Sequence, residues 1–500
     1  MADIAKYAPL NGGTLLSYFK TNLSLSKTTK TASIAYALVF VSIAFTIFLA
    51  FTPDVINSSA PSHGAHTSNF SSIVFFLFPN SSSDPNSTTN AEVSHQPISN
   101  RTRLEHNHTL TESLKRNQSA IANSASLVKN VAAEVDYSRL IDELAECDLF
   151  DGNWVRDESY PLYAPGSCSL IDEQFNCFLN GRPDNSYLKL KWKPKSCNLP
   201  RLNGSHMLEM LRGKRLVFVG DSLNRNMWES LICILKNSVK DQKKVYEVSG
   251  RQFFRSEASY SFRFEDFNCT VELFVSPFLV QEWEFTEKNG TKKETLRLDL
   301  VSSFADKYKD ADVLLFNTGH WWTHDKTSKG QDYYQEGSHV YSELNVLEAF
   351  RRAITTWGRW IDANVDPRKS LVFFRGYSAS HFSGGQWNSG GACDNETEPI
   401  KNDAFLSPYM DKMSVLEHVF GGMKTSVGYM NITKLTDYRK DGHPSIYRKL
   451  NYTEEERRSP LVFQDCSHWC LPGVPDAWNE ILYAELLVRL NQKQQSHKRA

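Results

Sequence analysis

The chain carries no excess of either charge: 56 Lys and Arg stand against 57 Asp and Glu, a formal net charge of -1. That balance gives no reason to expect a nucleic-acid partner or a broad basic face for an acidic polymer. No internal repeat is present. Large apolar residues are scarce from residue 52 to about 135, where Ser, Asn, Thr, Pro and His prevail. Such a segment cannot bury enough surface to offset its ordering entropy. A disordered, glycosylated stem is expected there, and the short apolar run Ile73–Phe78 is too brief to span a bilayer.

Charge is absent altogether from Thr31 to Phe51, a stretch of 21 residues. A helix of about 20 residues spans a membrane. Lys20, Lys27 and Lys30 precede the stretch, and no Lys or Arg follows until Arg101. The positive-inside rule then puts the N-terminus in the cytosol and the bulk of the chain in a lumen. The long polar lead-in favours an uncleaved signal anchor over a cleaved signal peptide. N-x-[ST] sequons at Asn57, Asn69, Asn80, Asn86, Asn100, Asn107, Asn117, Asn203, Asn268, Asn289, Asn395, Asn431 and Asn451 agree with a secretory route.

No cysteine precedes Cys147, and nine follow from there on. In an oxidising lumen most become disulfides, and an odd number leaves at least one over. Cys147, Cys168, Cys177 and Cys197 form no C-x-x-C pair, so a metal site is disfavoured. With Trp154 and Trp192 they mark a segment of little helical periodicity, read as a disulfide-stapled cap. The expected plan is a cytosolic tail over 1–30, an anchor over 31–51, a stem over 52–135, a cap over 136–200 and the main domain over 201–495.

Beyond residue 200 short apolar runs alternate with helical segments. Leu216–Val219, Val271–Val275, Val313–Phe316 and Leu371–Phe374 read as buried parallel strands. Met227–Leu235, Val346–Asp362 and Trp478–Leu490 read as helices. The alternation predicts an α/β three-layer domain with a parallel sheet. Ligands bind such sheets beyond the carboxyl ends of the strands. Ser222, Asn317–His320 and Arg375–Tyr377 all fall there.

Gly220-Asp221-Ser222-Leu223 follows a strand and opens a helix. Far away stands Asp465-Cys466-Ser467-His468, flanked by Cys466 and Cys470. Serine is a poor nucleophile at neutral pH and needs a base, itself oriented by a third group. Ser222, His468 and Asp465 supply these three parts. A plainer reading makes Ser222 a helix N-cap and the second motif an ordinary surface loop.

Several side chains are candidates for the oxyanion or the substrate. The Ser222 N–H lies near a helix N-terminus, and Arg225 offers a charged donor. Asn317 and the Gly319 N–H are further donors, with Asn317 equally readable as a turn residue. His320, Trp321 and Trp322 follow them. Tyr377 and Trp387 belong to a Gly/Ser-rich loop that lacks a Lys or P-loop spacing, and so reads as substrate-lining. Trp321, Trp322 and Trp387 stand in polar, Gly-rich segments and fit a sugar-stacking surface, although most tryptophans are core. His443 is a second, weaker base candidate and a candidate contact for an acceptor sugar.

In combination, Cys147–Cys197, Gly220-Asp221-Ser222, Asn317–Trp322, Phe373–Ser378 and Asp465–His468 resemble the plant trichome birefringence-like proteins of the GDSL/SGNH superfamily. The resemblance covers about residues 145–495. It implies an SGNH/GDSL-like domain and a type II Golgi membrane protein. It implies an O-acetyltransferase that decorates a cell-wall polysaccharide such as xylan, mannan, xyloglucan or pectin. It assigns Ser222 as nucleophile, His468 as base and Asp465 as its partner. No bound cofactor is implied, but an acetyl donor is required: acetyl-CoA or another lumenal carrier, supplied directly or by a membrane partner. The family pattern also implies the pairs Cys147–Cys197, Cys168–Cys233, Cys177–Cys470 and Cys393–Cys466, with Cys269 free. A polysaccharide acetylesterase and a non-catalytic wall-polymer binding protein are the alternatives.

Overall fold

The computed structural model describes residues 137–251, 258–286, 290–459 and 463–499. The tail, anchor and stem expected over 1–30, 31–51 and 52–135 lie outside these residues. Among the described residues no helix is long and apolar enough to cross a membrane.

The cap is built on an antiparallel pair, β1 (Gly152–Arg156) and β2 (Leu190–Pro194). The Cys147–Cys197 disulfide closes the open end of the pair. Trp154 and Trp192 sit directly opposite in register and meet edge to face at 5.6 Å. Two more disulfides tie the cap to the rest of the chain, Cys168–Cys233 and Cys177–Cys470. Cys393–Cys466 is the fourth, and Cys269 is free and buried. The pairing is the one that the resemblance implied.

Among the described residues the main sheet has seven strands: β3 (Arg215–Gly220), β4 (Val245–Glu247), β5 (Ser259–Phe264), β6 (Cys269–Val275), β9 (Val313–Phe316), β12 (Leu371–Arg375) and β13 (Val427–Met430). Their spatial order is β13-β12-β9-β3-β6-β5-β4. The five strands from β13 to β6 are parallel, and β5 and β4 extend the sheet in antiparallel fashion. All four expected strands are present.

Side-chain alternation decides which layer each strand residue joins. Leu216, Phe218, Val313, Leu315 and Phe373 point to one face, where α1 (Gly204–Met210), α2 (Ser222–Asn237) and α5 (Val474–Arg499) pack. Val217, Val219, Leu314, Phe316, Val372 and Phe374 point to the other. That face is covered by α3 (Val346–Asn364) and α4 (Asp411–Gly421). On α3 the apolar stripe is Ala349, Phe350, Ala353, Ile354, Trp357 and Ile361, and Asn345 caps the helix through the N–H groups of Leu347 and Glu348. The three expected helices are therefore present, each somewhat longer than its apolar stripe.

A second sheet was not anticipated. Its order is β11 (His339–Val340), β10 (Tyr334–Glu336), β8 (Lys292–Val301), β7 (Val280–Thr286). It packs on the α3 side through Val280, Leu296, Leu298 and Tyr334. Its strands alternate polar and apolar residues, unlike the continuous apolar runs of the parallel core.

Candidate active site

The parallel register brings three strand ends together. Val219 of β3 pairs with Phe316 of β9, which pairs with Phe374 of β12. Gly220–Ser222, Asn317–Trp322 and Gly376–Ser378 therefore leave the sheet at the same edge.

The turn after β3 is tight. Gly220 has φ +158°, and a Cβ there would lie 1.9 Å from Asn317 Oδ1. Only glycine fits both demands. The N-cap of α2 is Asp221, not Ser222: its Oδ1 accepts the Leu223 N–H at 3.0 Å. Ser222 is consequently the first helical residue, and its hydroxyl is free to face outward.

There it meets His468. His468 Nε2 lies 2.7 Å from Ser222 Oγ, and His468 Nδ1 lies 2.8 Å from Asp465 Oδ2. Since a carboxylate only accepts, Nδ1 carries the ring proton and Nε2 presents its lone pair to the serine. Asp465 Oδ1 accepts the backbone N–H groups of Ser467 and His468 at 3.2 and 3.0 Å. Burial alone would raise the Asp465 carboxyl, but the His468 ring, its hydrogen bond and Arg448 hold it well below the usual range. It is an anion at neutral pH, able to stabilise an imidazolium.

The loop bearing these groups is clamped from several sides. Asn226, one turn past Ser222 on α2, accepts the Trp469 N–H at 2.8 Å and donates to its carbonyl at 3.1 Å. Trp469 Nε1 donates to Ser378 Oγ at 2.8 Å. Phe175 of the cap packs on the His468 ring at 5.2 Å. The Cys177–Cys470 and Cys393–Cys466 disulfides fix the loop to the cap and to the segment after β12.

The oxyanion candidates separate. Asn317 is buried, donates to Asp221 Oδ1 at 2.7 Å and accepts the Asp221 N–H at 3.1 Å. It braces the Ser222 turn from below. Gly319 has φ +140°, and Lys412 Nζ donates to its carbonyl and to that of Trp322, each at 2.9 Å. Burial lowers this ammonium to about 8. Arg225 does not serve as expected: it turns to Asp172 at 3.2 Å and Glu229 at 3.6 Å, with its guanidinium over Phe175. Its charge supports the cap residue that holds His468.

His320 stacks on Tyr377 at 4.1 Å, donates from Nε2 to the Ser378 carbonyl at 2.7 Å and sets Nδ1 3.4 Å from Asp221 Oδ2. Both rings are half-buried and braced rather than open. Trp322 does not belong to a sugar-stacking surface. It is buried among Phe278, Tyr334 and Phe350, with Nε1 donating to Thr318 Oγ1. His443 cannot meet an acceptor sugar either, because it is 2 % exposed and stacked on Trp469 at 4.1 Å. Trp387 is 45 % exposed and Trp321 half-buried. Lys326 bridges them, its ammonium 4.3 Å from the centre of the Trp321 ring and 5.4 Å from that of Trp387. The two indoles form an aromatic wall joining the loops after β9 and β12.

Phe175, Asn226, Lys326 and His381 escaped the sequence reading. Only Asn226 left a signal: at i+4 from Ser222 it must share that face of the helix. A cavity of about 580 Å³ opens beside the loop after β12, lined by Tyr377, Ser380, Tyr409 and Asp437 among others. Neither Ser222 nor His468 lines it.

Fold and site together define an α/β protein with a strand-end serine, an imidazole and a carboxylate in one hydrogen-bonded line, the arrangement of an SGNH-like acyl-transferring enzyme. A model of the GDSL/SGNH-like acyl-esterase family found in Pmr5 and Cas1p matches residues 199–485, and a PMR5 N-terminal domain matches 145–198. The chain is 52% identical to Arabidopsis thaliana Protein trichome birefringence over 100% of both chains. It is 55% identical to Protein trichome birefringence-like 1 of the same plant, over 98% of this chain and 97% of that one. Protein trichome birefringence-like 4 is 54% identical over 69% and 76%. The chain belongs to the trichome birefringence-like family.

Proposed function

We propose that this chain is an O-acetyltransferase that moves an acetyl group through a Ser222 ester to a hydroxyl of a plant cell-wall polysaccharide. We place it on the Golgi membrane as a type II protein with its catalytic domain in the lumen. The observation that carries the chemistry is the Ser222 Oγ–His468–Asp465 line, with contacts of 2.7 and 2.8 Å.

In the first half, Ser222 Oγ attacks the carbonyl of the acetyl donor while His468 Nε2 takes its proton. Asp465 steadies the imidazolium. The bond to the donor's carrier breaks, and His468 returns the proton to the leaving group. In the second half, a sugar hydroxyl gives its proton to His468 Nε2 and attacks the Ser222 ester. The Ser222 oxygen leaves and recovers that proton. The Ser222 and Gly319 N–H groups are the proposed donors to the oxyanion in both halves. The donor is acetyl-CoA or another lumenal acetyl carrier, held transiently or handed on by a membrane partner.

Hydrolysis would follow the same first half, with water as the second nucleophile, and the acyl-esterase description of the family keeps that reading in view. The aromatic wall of Trp321 and Trp387 supports a sugar acceptor over water, since a stacked sugar presents its hydroxyl at high effective concentration. The purified full chain, incubated with an acetyl donor and defined wall oligosaccharides, should add acetyl mass to one sugar class. Ser222→Ala should abolish it. Deacetylation of pre-acetylated glycan without transfer would establish the esterase instead. Glycan binding retained by both proteins with no turnover would establish a binding protein.

A further inference from the structure

His381 and His443 lie outside the Ser222–His468–Asp465 line, yet their hydrogen bonds end on it. His443 Nδ1 is 2.7 Å from the carbonyl oxygen of His468. His443 Nε2 is 2.7 Å from His381 Nδ1. His381 Nε2 is 2.9 Å from the carbonyl oxygen of Asp437. A carbonyl oxygen can only accept, so His443 Nδ1 and His381 Nε2 both carry protons. The short contact between the two rings demands a third proton, because two facing lone pairs repel. Two neutral imidazoles hold only two ring protons between them.

We propose that His381 and His443 are positioning residues that share one excess proton, and that this proton locks the His468 backbone in register with Ser222. The proposal rests on His468 as the base, while the proton count itself does not.

The surroundings place the charge. His443 is buried, stacked on Trp469, and its own carbonyl accepts from Arg182 Nη1 at 2.9 Å. Burial, with His381 and Arg182 nearby, drives its imidazole well below the usual range, against the pull of the His468 carbonyl and Asp465. His381 faces Asp437, whose Oδ1 lies 3.5 Å from Nε2. Burial would raise the Asp437 carboxyl, but His381 and the Ser407 N–H hold it down as an anion. The excess proton therefore resides on His381, and His443 passes its hold to the carbonyl of His468. His381 grips the same loop a second time, because its backbone N–H donates to the Cys466 carbonyl at 2.9 Å.

The test begins with the full chain labelled at histidine with ¹³C and ¹⁵N. The two rings are assigned by difference from His381→Gln and His443→Gln. NMR at neutral pH should count three ring protons on the pair, two of them on His381. A count of two would overturn the proposal even if the protein turns over normally. The second arm is the pH profile of acetyl transfer. The wild type should lose kcat at alkaline pH as the pair gives up its proton. His381→Gln donates one amide hydrogen that does not titrate. It should lower kcat on the order of 10–100-fold with little change in KM, and abolish the alkaline fall. A fall that persists unchanged in His381→Gln would refute the coupling. If that variant does not fold, Asp437→Asn serves: the alkaline fall should move to lower pH, and an unmoved fall would refute the assignment of the charge. An inactive wild type would remove the functional reading and leave the proton count to decide.

Discussion

Asp465→Asn is the sharpest probe of the His468 base. Asp465 Oδ1 already accepts two backbone N–H groups, from Ser467 and His468. The amide oxygen of Asn would keep that place, so its NH2 would fall 2.8 Å from His468 Nδ1, where the carboxylate Oδ2 now stands. A donor there cannot accept the ring proton. The imidazole must move its proton to Nε2, which faces Ser222 Oγ at 2.7 Å. The lone pair that should take the serine proton is lost, and so is the anion that stabilises the imidazolium. In other hydroxyl-imidazole-carboxylate sites this exchange costs about 10⁴-fold in kcat. With similar geometry, a loss of about 10³–10⁴-fold is expected here, or about 4–5.5 kcal/mol of barrier. The assay is the rate of acetyl transfer at saturating donor and acceptor, with urea unfolding as a control for the fold. A folded variant whose kcat stays within about tenfold of wild type would refute the reasoning.

Other perturbations reach the fold and the substrate surface. Glu480 is buried, accepting from Tyr160 at 2.8 Å and from the Leu202 N–H at 3.2 Å, and burial pushes its carboxyl from 4.5 up to about 7. Because this pKa is raised, its stabilisation is complete below about pH 4.5, declines as pH rises to about 7 and is gone above. Glu480→Gln should therefore gain up to about 3 kcal/mol over wild type at pH 7.5 and little at pH 4, measured by urea unfolding; equal effects at both pH values would contradict the shift. Replacing Cys177 and Cys470 by Ala opens a loop of sequence separation 293 and should cost about 2–5 kcal/mol. It should also slow transfer, because Cys470 stands two residues from His468; unchanged stability and kcat would count against both roles. Trp387→Ala, at an exposed site, should raise KM for glycan at near-constant stability, whereas Trp322→Ala, in the core, should cost about 3–5 kcal/mol. A reversed pattern would dismantle the proposed wall.

The parallel core was legible because its strands are buried on both faces and read as unbroken apolar runs, as in Val313–Phe316. The second sheet was not, because β8 alternates in polarity: Leu296 and Leu298 flank Arg297, whose guanidinium turns to Asp299. That period-2 pattern is a weaker signal than a continuous apolar run. The meeting of Ser222, His468 and Asp465 was legible because a nucleophilic serine requires a base and a group that orients it. What surrounds them depends on which way long side chains turn. Arg225 turned to Asp172, Trp322 into the core and His443 beneath Trp469, none of which local sequence specifies. The His381–His443 contact joins residues 62 apart and could be found only by folding the chain.

The most direct measurement is mass spectrometry of the full chain, quenched shortly after mixing with acetyl donor and digested to peptides. An acetyl ester should appear on the peptide containing Ser222, be absent from Ser222→Ala, and disappear from wild type when the accepting oligosaccharide is added as acetyl appears on the sugar. Acetyl transfer that continues at the wild-type rate in Ser222→Ala, or an adduct that forms elsewhere and is discharged by the acceptor, would contradict the assignment of Ser222 as the nucleophile.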